Sequence, residues 1–256
     1  MRIYVTFALP AGTNFNVLET DVENLSVHVD DVRSGSSSSS HSSTTFRRFS
    51  VRSGNGAVRV AKGLEATEQV QLHSENGRIQ VEGELVAPLV KAQCENGALV
   101  LQGVVSSDVE ATSSNGHVEG TFHVRRRLVL RSDNGAVDAT VYVEKASSSS
   151  GNKMEEGVPR VDVDASSSNG HVGLTYAAQD GGVALFSQAH SEAGHTTVRH
   201  ASSFVGEVEV GSEMGHLDLR PPRQGKGEER RRWEVIEEHK GLMKHEVSHL
   251  LVVPLD

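Results

Sequence analysis

Large rings are scarce in this chain. Phe, Tyr and Trp make up 4% of the 256 residues, with a single Trp, so the interior has to be assembled from Val, Leu, Ile and Ala. One cysteine, Cys94, excludes an internal disulfide framework. No apolar run approaches the roughly 18 residues of a membrane-spanning helix, so no membrane insertion is expected. Met1 is not followed by a charged stretch, a long apolar run and a small-residue cleavage site, so no export signal is expected either. Positive charge is also in deficit: 25 Lys and Arg stand against 34 Asp and Glu, a net charge of −9 with a pI near 5.8. That balance argues against nucleic acid or an anionic membrane as a partner.

What the chain has in abundance is one motif. SGNGAVRV, SENGRIQV, CENGALVL, SSNGHVEG, SDNGAVDA, SSNGHVGL, SEAGHTTV and SEMGHLDL recur between residues 50 and 220. The turn positions are Asn55-Gly56, Asn76-Gly77, Asn96-Gly97, Asn115-Gly116, Asn134-Gly135 and Asn169-Gly170, followed by Ala193 and Met214 where Asn would stand. They are spaced by 21, 20, 19, 19, 35, 24 and 21 residues. A fixed period of about 20 residues is the mark of a stacked repeat. The one long step contains Ala146 to Arg160, a polar Ser/Gly segment of 15 residues, read as an inserted loop at 146–160; Ser34 to Ser43 reads as another.

Apolar residues alternate with polar ones on both sides of each turn, as at Val70 and Leu72 before Asn76 and Ile79 and Val81 after it. Two half-buried strands per repeat follow, with Asn-Gly at the corner because both residues tolerate positive φ. Two architectures satisfy that parity. In an antiparallel meander each Asn-Gly would close a hairpin. In an all-β solenoid each would be the corner of an arch, and rungs of about 20 residues would stack. The solenoid is the preferred reading, because like residues would then stack at about 4.8 Å and the Asn side chains could form a ladder. The expected organisation is an N-terminal strand or cap at 1–33, the Ser-rich loop at 34–43, solenoid repeats at 44–220 and a C-terminal cap at 221–256.

These rungs, S-x-N-G-x-V/I-x-V preceded by the strand opening VTFALPAG, resemble adhesin-type β-helical domains of unknown function found in bacteria, and more specifically their uncharacterised fungal relatives. The resemblance covers roughly residues 3–220 and implies a β-solenoid fold. It carries no catalytic residue over. Ala193 and Met214 depart from its pattern.

Four features invite chemistry. His245-Glu246-Val247-Ser248-His249 matches the zinc-peptidase pattern H-E-x-x-H, which requires a helix. Leu250 to Pro254 reads instead as a terminal strand, where residues four apart lie about 13 Å apart, so no zinc site is expected there. Cys94 occupies a column otherwise filled by Ser and reads as a packed thiol. The corner acids Glu75, Glu95, Asp133, Glu192 and Glu213 and the run Arg230 to Arg232 read as solvated surface. His171, His195 and His216, on successive rungs beside Glu192 and Glu213, are candidate metal ligands or pH-sensitive groups, set against a plain solvated turn. No cofactor and no catalytic residue is assigned. The expectation is a non-enzymatic, adhesin-like or interaction module for an unidentified protein or glycan. The alternatives are a carbohydrate-active enzyme on the same scaffold and a structural spacer.

Overall fold

A computed structural model describes residues 13–30, 44–145, 158–200, 204–220, 232–240 and 245–253. The Ser-rich segment 34–43, nearly all of the inserted loop and Arg230 and Arg231 lie outside the described residues. All regular structure among the described residues is β-strand, numbered here along the chain.

Two parallel ladders run the length of the stack. The first joins β1 (Asn14–Val22), β3 (Thr45–Ser53), β5 (Leu64–Ser74), β7 (Leu85–Cys94), the second halves of β8 (Leu99–Ser113) and β9 (Val118–Ser132), β11 (Arg160–Ser167), β13 (Ala184–Ser191) and β15 (Gly206–Ser212). The second joins β2 (Val27–Val29), β4 (Val58–Val60), β6 (Ile79–Val81), the first halves of β8 and β9, β10 (Val137–Val143), β12 (Val172–Gln179), β14 (Thr196–Arg199) and β16 (Leu217–Arg220). Residues on either side of a corner pair with the neighbouring rungs and not with each other. The repeats therefore form a β-solenoid, and the antiparallel meander is excluded.

Between the ladders lies a core of stacked columns. Val58, Ile79, Leu99, Val118, Val137 and Val172 follow one another on the second ladder, and Phe49, Val70, Val90, Val109, Leu128 and Val163 on the first; all are buried. Burying such aliphatic side chains contributes about 1.5–3 kcal/mol each. Where one column carries Gly120, the ring of Phe122 takes the missing volume. Where another carries Ser187, its hydroxyl accepts a 2.5 Å hydrogen bond from the buried Tyr176.

The corners are built differently from the expectation of positive φ. Among the described glycines only Gly103, Gly182 and Gly206 have positive φ, so no corner glycine needs it. Glycine is required by crowding between rungs: a Cβ on Gly116 would lie 2.0 Å from the carbonyl oxygen of Gly97, and one on Gly77 2.0 Å from that of Gly56. The invariant Ser column has a bonding role. Ser113 Oγ accepts the N–H of Gly116 and donates to the carbonyl of Gly97, each at 3.0 Å, and the rungs from Ser53 to Ser212 repeat this pair of bonds. Cys94 does so through its thiol, donating to Gly77 O at 3.0 Å and accepting from Gly97 N at 3.1 Å; burial raises its pKa, which fits a packed thiol.

The Asn side chains form the expected ladder. Each Nδ2 donates to Oδ1 of the preceding rung, from Asn169 through Asn134, Asn115, Asn96, Asn76 and Asn55, at 2.7–2.9 Å. It ends on Asn24, a first corner within the segment expected to be a cap. Ala193 and Met214 interrupt only the side chains. Their backbone N–H groups still donate to the preceding rung, at 2.9 Å.

The last rungs meet a different arrangement. β17 (Arg232–Lys240) and β18 (His245–Val253) form an antiparallel hairpin, and β18 pairs antiparallel with β15. This covers the edge of the first ladder, as stacked repeats require. Arg232 opens β17.

Candidate functional site

Ion pairs between rungs occur on both outer faces, as between Arg59 and Glu82 at 2.8 Å on the second ladder. On the first ladder, cations find carboxylates on adjacent rungs: Arg48 with Glu68 at 2.9 Å, Lys91 with Glu110 at 3.2 Å, Arg131 with Asp164 at 2.8 Å, and Arg126 with Asp108. The bond from Arg48 pulls the Glu68 carboxyl below its ordinary range. Glu75, one of the corner acids, is met by Arg52 at 3.3 Å. This face is a mesh of solvated ion pairs, each of small energetic weight.

The outer face of the second ladder carries a shallow groove of about 500 Å³ lined by Gln102, Glu119, Thr121, Asp138, Thr140, His171, Thr175, Thr197 and Arg199 among others. Register places these side chains. Thr121, Thr140, Thr175 and Arg199 follow one another on four rungs, and Glu119 lies beside Asp138. Thr140, Thr175, Thr197, Glu119 and Arg199 carry no side-chain hydrogen bond or ion pair to any described residue, so their polar groups face open solvent. Two adjacent acids on neighbouring strands are unfavourable. Asp138 is relieved by His171, whose Nε2 lies 2.8 Å from its Oδ2. Gly173 makes that contact possible, since a Cβ there would come within 2.5 Å of Asp138 Oδ1.

A second depression, of about 550 Å³, adjoins it through Gln102 and is lined by Glu82, Glu84, His123, Arg125 and Glu144. Here Glu144 holds His123 Nδ1 at 2.8 Å and Arg125 at 3.0 Å. The His123 ring lies flat on Tyr142, with centroids 4.4 Å apart and planes 3° apart. Asp138, Thr140 and Tyr142 alternate outward along β10; the first two line the groove, and Tyr142 stands beside His123, which lines the second depression.

The histidine column does not assemble as a trio. His195 and His216 meet edge-on at 6.2 Å, and His195 Nδ1 accepts the backbone N–H of His216 at 3.2 Å. His171 turns to Asp138 instead. Among the described residues no three His, Cys, Asp or Glu side chains converge as a metal would need. His245 and His249 both lie in β18, without the helical turn that the zinc-peptidase pattern requires. The turn residues from Asn55-Gly56 to Asn169-Gly170 bond along the stack.

Apart from His171, the groove residues escaped the sequence reading because they are not identical from rung to rung. A signal was nonetheless there: six positions after the corner stand Gln102, Thr121, Thr140, Thr175 and Arg199. A polar column at an outward, non-corner position has no structural duty.

Fold and face together define a β-solenoid with a groove on the outer face of its second ladder. Residues 114–224 match a family described as a domain of unknown function (DUF7330), a span that includes the groove from Glu119 to Arg199. No curated protein and no solved structure matches the chain.

Proposed function

We propose that the protein is a non-enzymatic, adhesin-like interaction module that holds a ligand along the outer face of its second ladder. The observation that carries this reading is the groove on the second ladder. Ion pairs join rungs on both walls, Arg59 with Glu82 on the second as Arg48 with Glu68 on the first, but in the groove Glu119, Arg199, Thr140, Thr175 and Thr197 have no side-chain partner among the described residues. Convergent polar groups in a concavity are what a recognition surface offers. The resemblance to adhesin-type β-helical domains supports the same reading, and a net charge of −9 disfavours nucleic acid. A polyhydroxylated glycan suits a lining of alternating acceptors and donors.

The second reading, a carbohydrate-active enzyme, draws on the Asp138–His171 pair as an acid–base couple at the groove floor. A glycan array combined with a reducing-sugar release assay separates the possibilities. Retention without release, weakened by Arg199→Gln and Thr140→Val, is the expected result. Release of sugar that His171→Ala abolishes would establish the enzyme, and neither retention nor release would leave a spacer.

A further inference from the structure

The stack of rings on the groove-bearing wall stops one rung short. His123 and Tyr142 are register partners on β9 and β10, and their rings lie parallel at 4.4 Å. The next partner of Tyr142 is Ala178 on β12, reached through a register shift that skips Ala177. Ala177 and Ala178 are both exposed. One face of the Tyr142 ring is therefore covered by imidazole, while the other looks along the stack over two methyl groups. Among the described residues, His123 is the one ring that Tyr142 touches. A flat apolar object about one strand spacing thick would complete the column.

Polar groups surround this notch. Thr140 is two residues before Tyr142 on the same outward side, and Thr175 is the partner of Thr140 on the next rung. Asp180, just beyond Ala178, accepts the backbone N–H of Lys145 through Oδ2 at 2.8 Å, leaving its other oxygen as an acceptor. A ring face bordered by hydroxyls and a carboxylate selects an object with an apolar face and a polar perimeter. A pyranose has that construction: axial C–H groups on a face and hydroxyls around the edge. An aliphatic or aromatic side chain would fill the notch but leave the perimeter unmatched, a loss wherever polar groups are desolvated.

We propose that the open face of Tyr142 above Ala178 is a pyranose-binding notch, stacking one sugar unit of a neutral glycan while Thr140, Thr175 and Asp180 meet its hydroxyls. The inference rests on the second-ladder wall being the ligand-bearing one. It adds the sugar class and the residue that anchors it. The unit is uncharged at this position because the charges there are already balanced: Arg125 is bound to Glu144, and Asp180 is bonded to the backbone N–H of Lys145, itself a cationic residue.

The test uses calorimetric titration of the full chain with neutral hexaoses of glucose, mannose and xylose, with a glucuronate oligomer and with phenylalaninamide. At least one neutral hexaose should bind. Tyr142→Phe should retain its affinity, because the ring face is unchanged. Tyr142→Ala should weaken it by at least about tenfold, as loss of an anchoring aromatic does. Ala178→Tyr, which completes the ring column and fills the notch, should weaken binding as much without lowering the melting temperature, so that loss of binding cannot be ascribed to misfolding. The proposal is overturned if no neutral hexaose binds, if only the glucuronate oligomer or phenylalaninamide binds, or if both Tyr142→Ala and Ala178→Tyr bind as the parent does. A glycan whose retention falls in Arg199→Gln but not in Tyr142→Ala would overturn the notch and leave the wall reading standing; a chain that retains no glycan at all loses both.

Discussion

A single hydroxyl carries the corner in seven of the rungs, and the thiol of Cys94 does so in one. Ser113 Oγ links the N–H of Gly116 to the carbonyl of the rung before it, in a site that is 4% exposed, so water cannot replace it. Ser113→Ala should cost about 1–3 kcal/mol for two buried groups left unsatisfied, measured by urea unfolding, while Ser113→Cys should cost distinctly less because Cys94 already performs the same task. The glycines are sensitive for a steric reason. Gly116→Ala should destabilise by about 1–3 kcal/mol or more through overpacking against Gly97. Gly181→Ala, where a Cβ meets nothing within 4 Å, should be near neutral. Equal unfolding midpoints for the two would contradict the close approach of the rungs.

His200 sets a second residue-scale expectation. It is 9% exposed with neither ring nitrogen hydrogen-bonded to any described residue, lying flat on Tyr176 at 4.9 Å and against Phe204 at 4.2 Å. Burial alone lowers its pKa to about 3. The unfolded chain takes up this proton below about pH 6.5, whereas the folded chain resists until about pH 3. The contribution is thus fully present above the unfolded pKa and declines as pH falls toward the folded one. Between about pH 8 and 4.5 the loss from this residue should be roughly 2–3 kcal/mol. His200→Leu should flatten that part of the stability profile; an unchanged profile would place the ring in contact with water or a partner.

At the scale of the element, the strands gain their definition from their neighbours. Alternation before and after the corner revealed the two ladders, because burial on one side of a strand imposes a period of two. The columns revealed the stacking, because only parallel in-register rungs give the same Ser and Asn the same partners each time. Three things were hidden. Asn24 ends the ladder, but Leu25 stands in the place of Gly, so the corner lacks its signature. Positive φ was inferred from Asn-Gly as a hairpin signal, whereas an arch between stacked rungs demands room. Thr140, Thr175, Arg199 and Tyr142 acquire meaning only from register, which brings residues 20 or more apart in sequence side by side. At β18 the strand reading of His245 and His249 leads to a further expectation: elemental analysis of the purified chain should find no stoichiometric zinc, and one zinc per chain lost in His249→Ala would contradict it.

For the whole molecule, nine corners from Asn24 to Met214 stacked at about 4.8 Å give a body on the order of 40 Å along its axis, with two unlike walls and a β17–β18 hairpin against β15. Its parallel register can be tested most directly by disulfide trapping in a Cys94→Ser background. Thr121 and Thr140 are register partners on adjacent rungs, and adjacent strands about 4.8 Å apart lie within the separation of roughly 4.4–6.8 Å that a disulfide spans. The pair Thr121→Cys with Thr140→Cys should therefore oxidise to an intramolecular disulfide. Thr112 and Glu119 flank the Asn115 corner and would be partners only in a hairpin; Thr112→Cys with Glu119→Cys should stay reduced. The reverse outcome, a disulfide across the corner and none between the rungs, would contradict the stack.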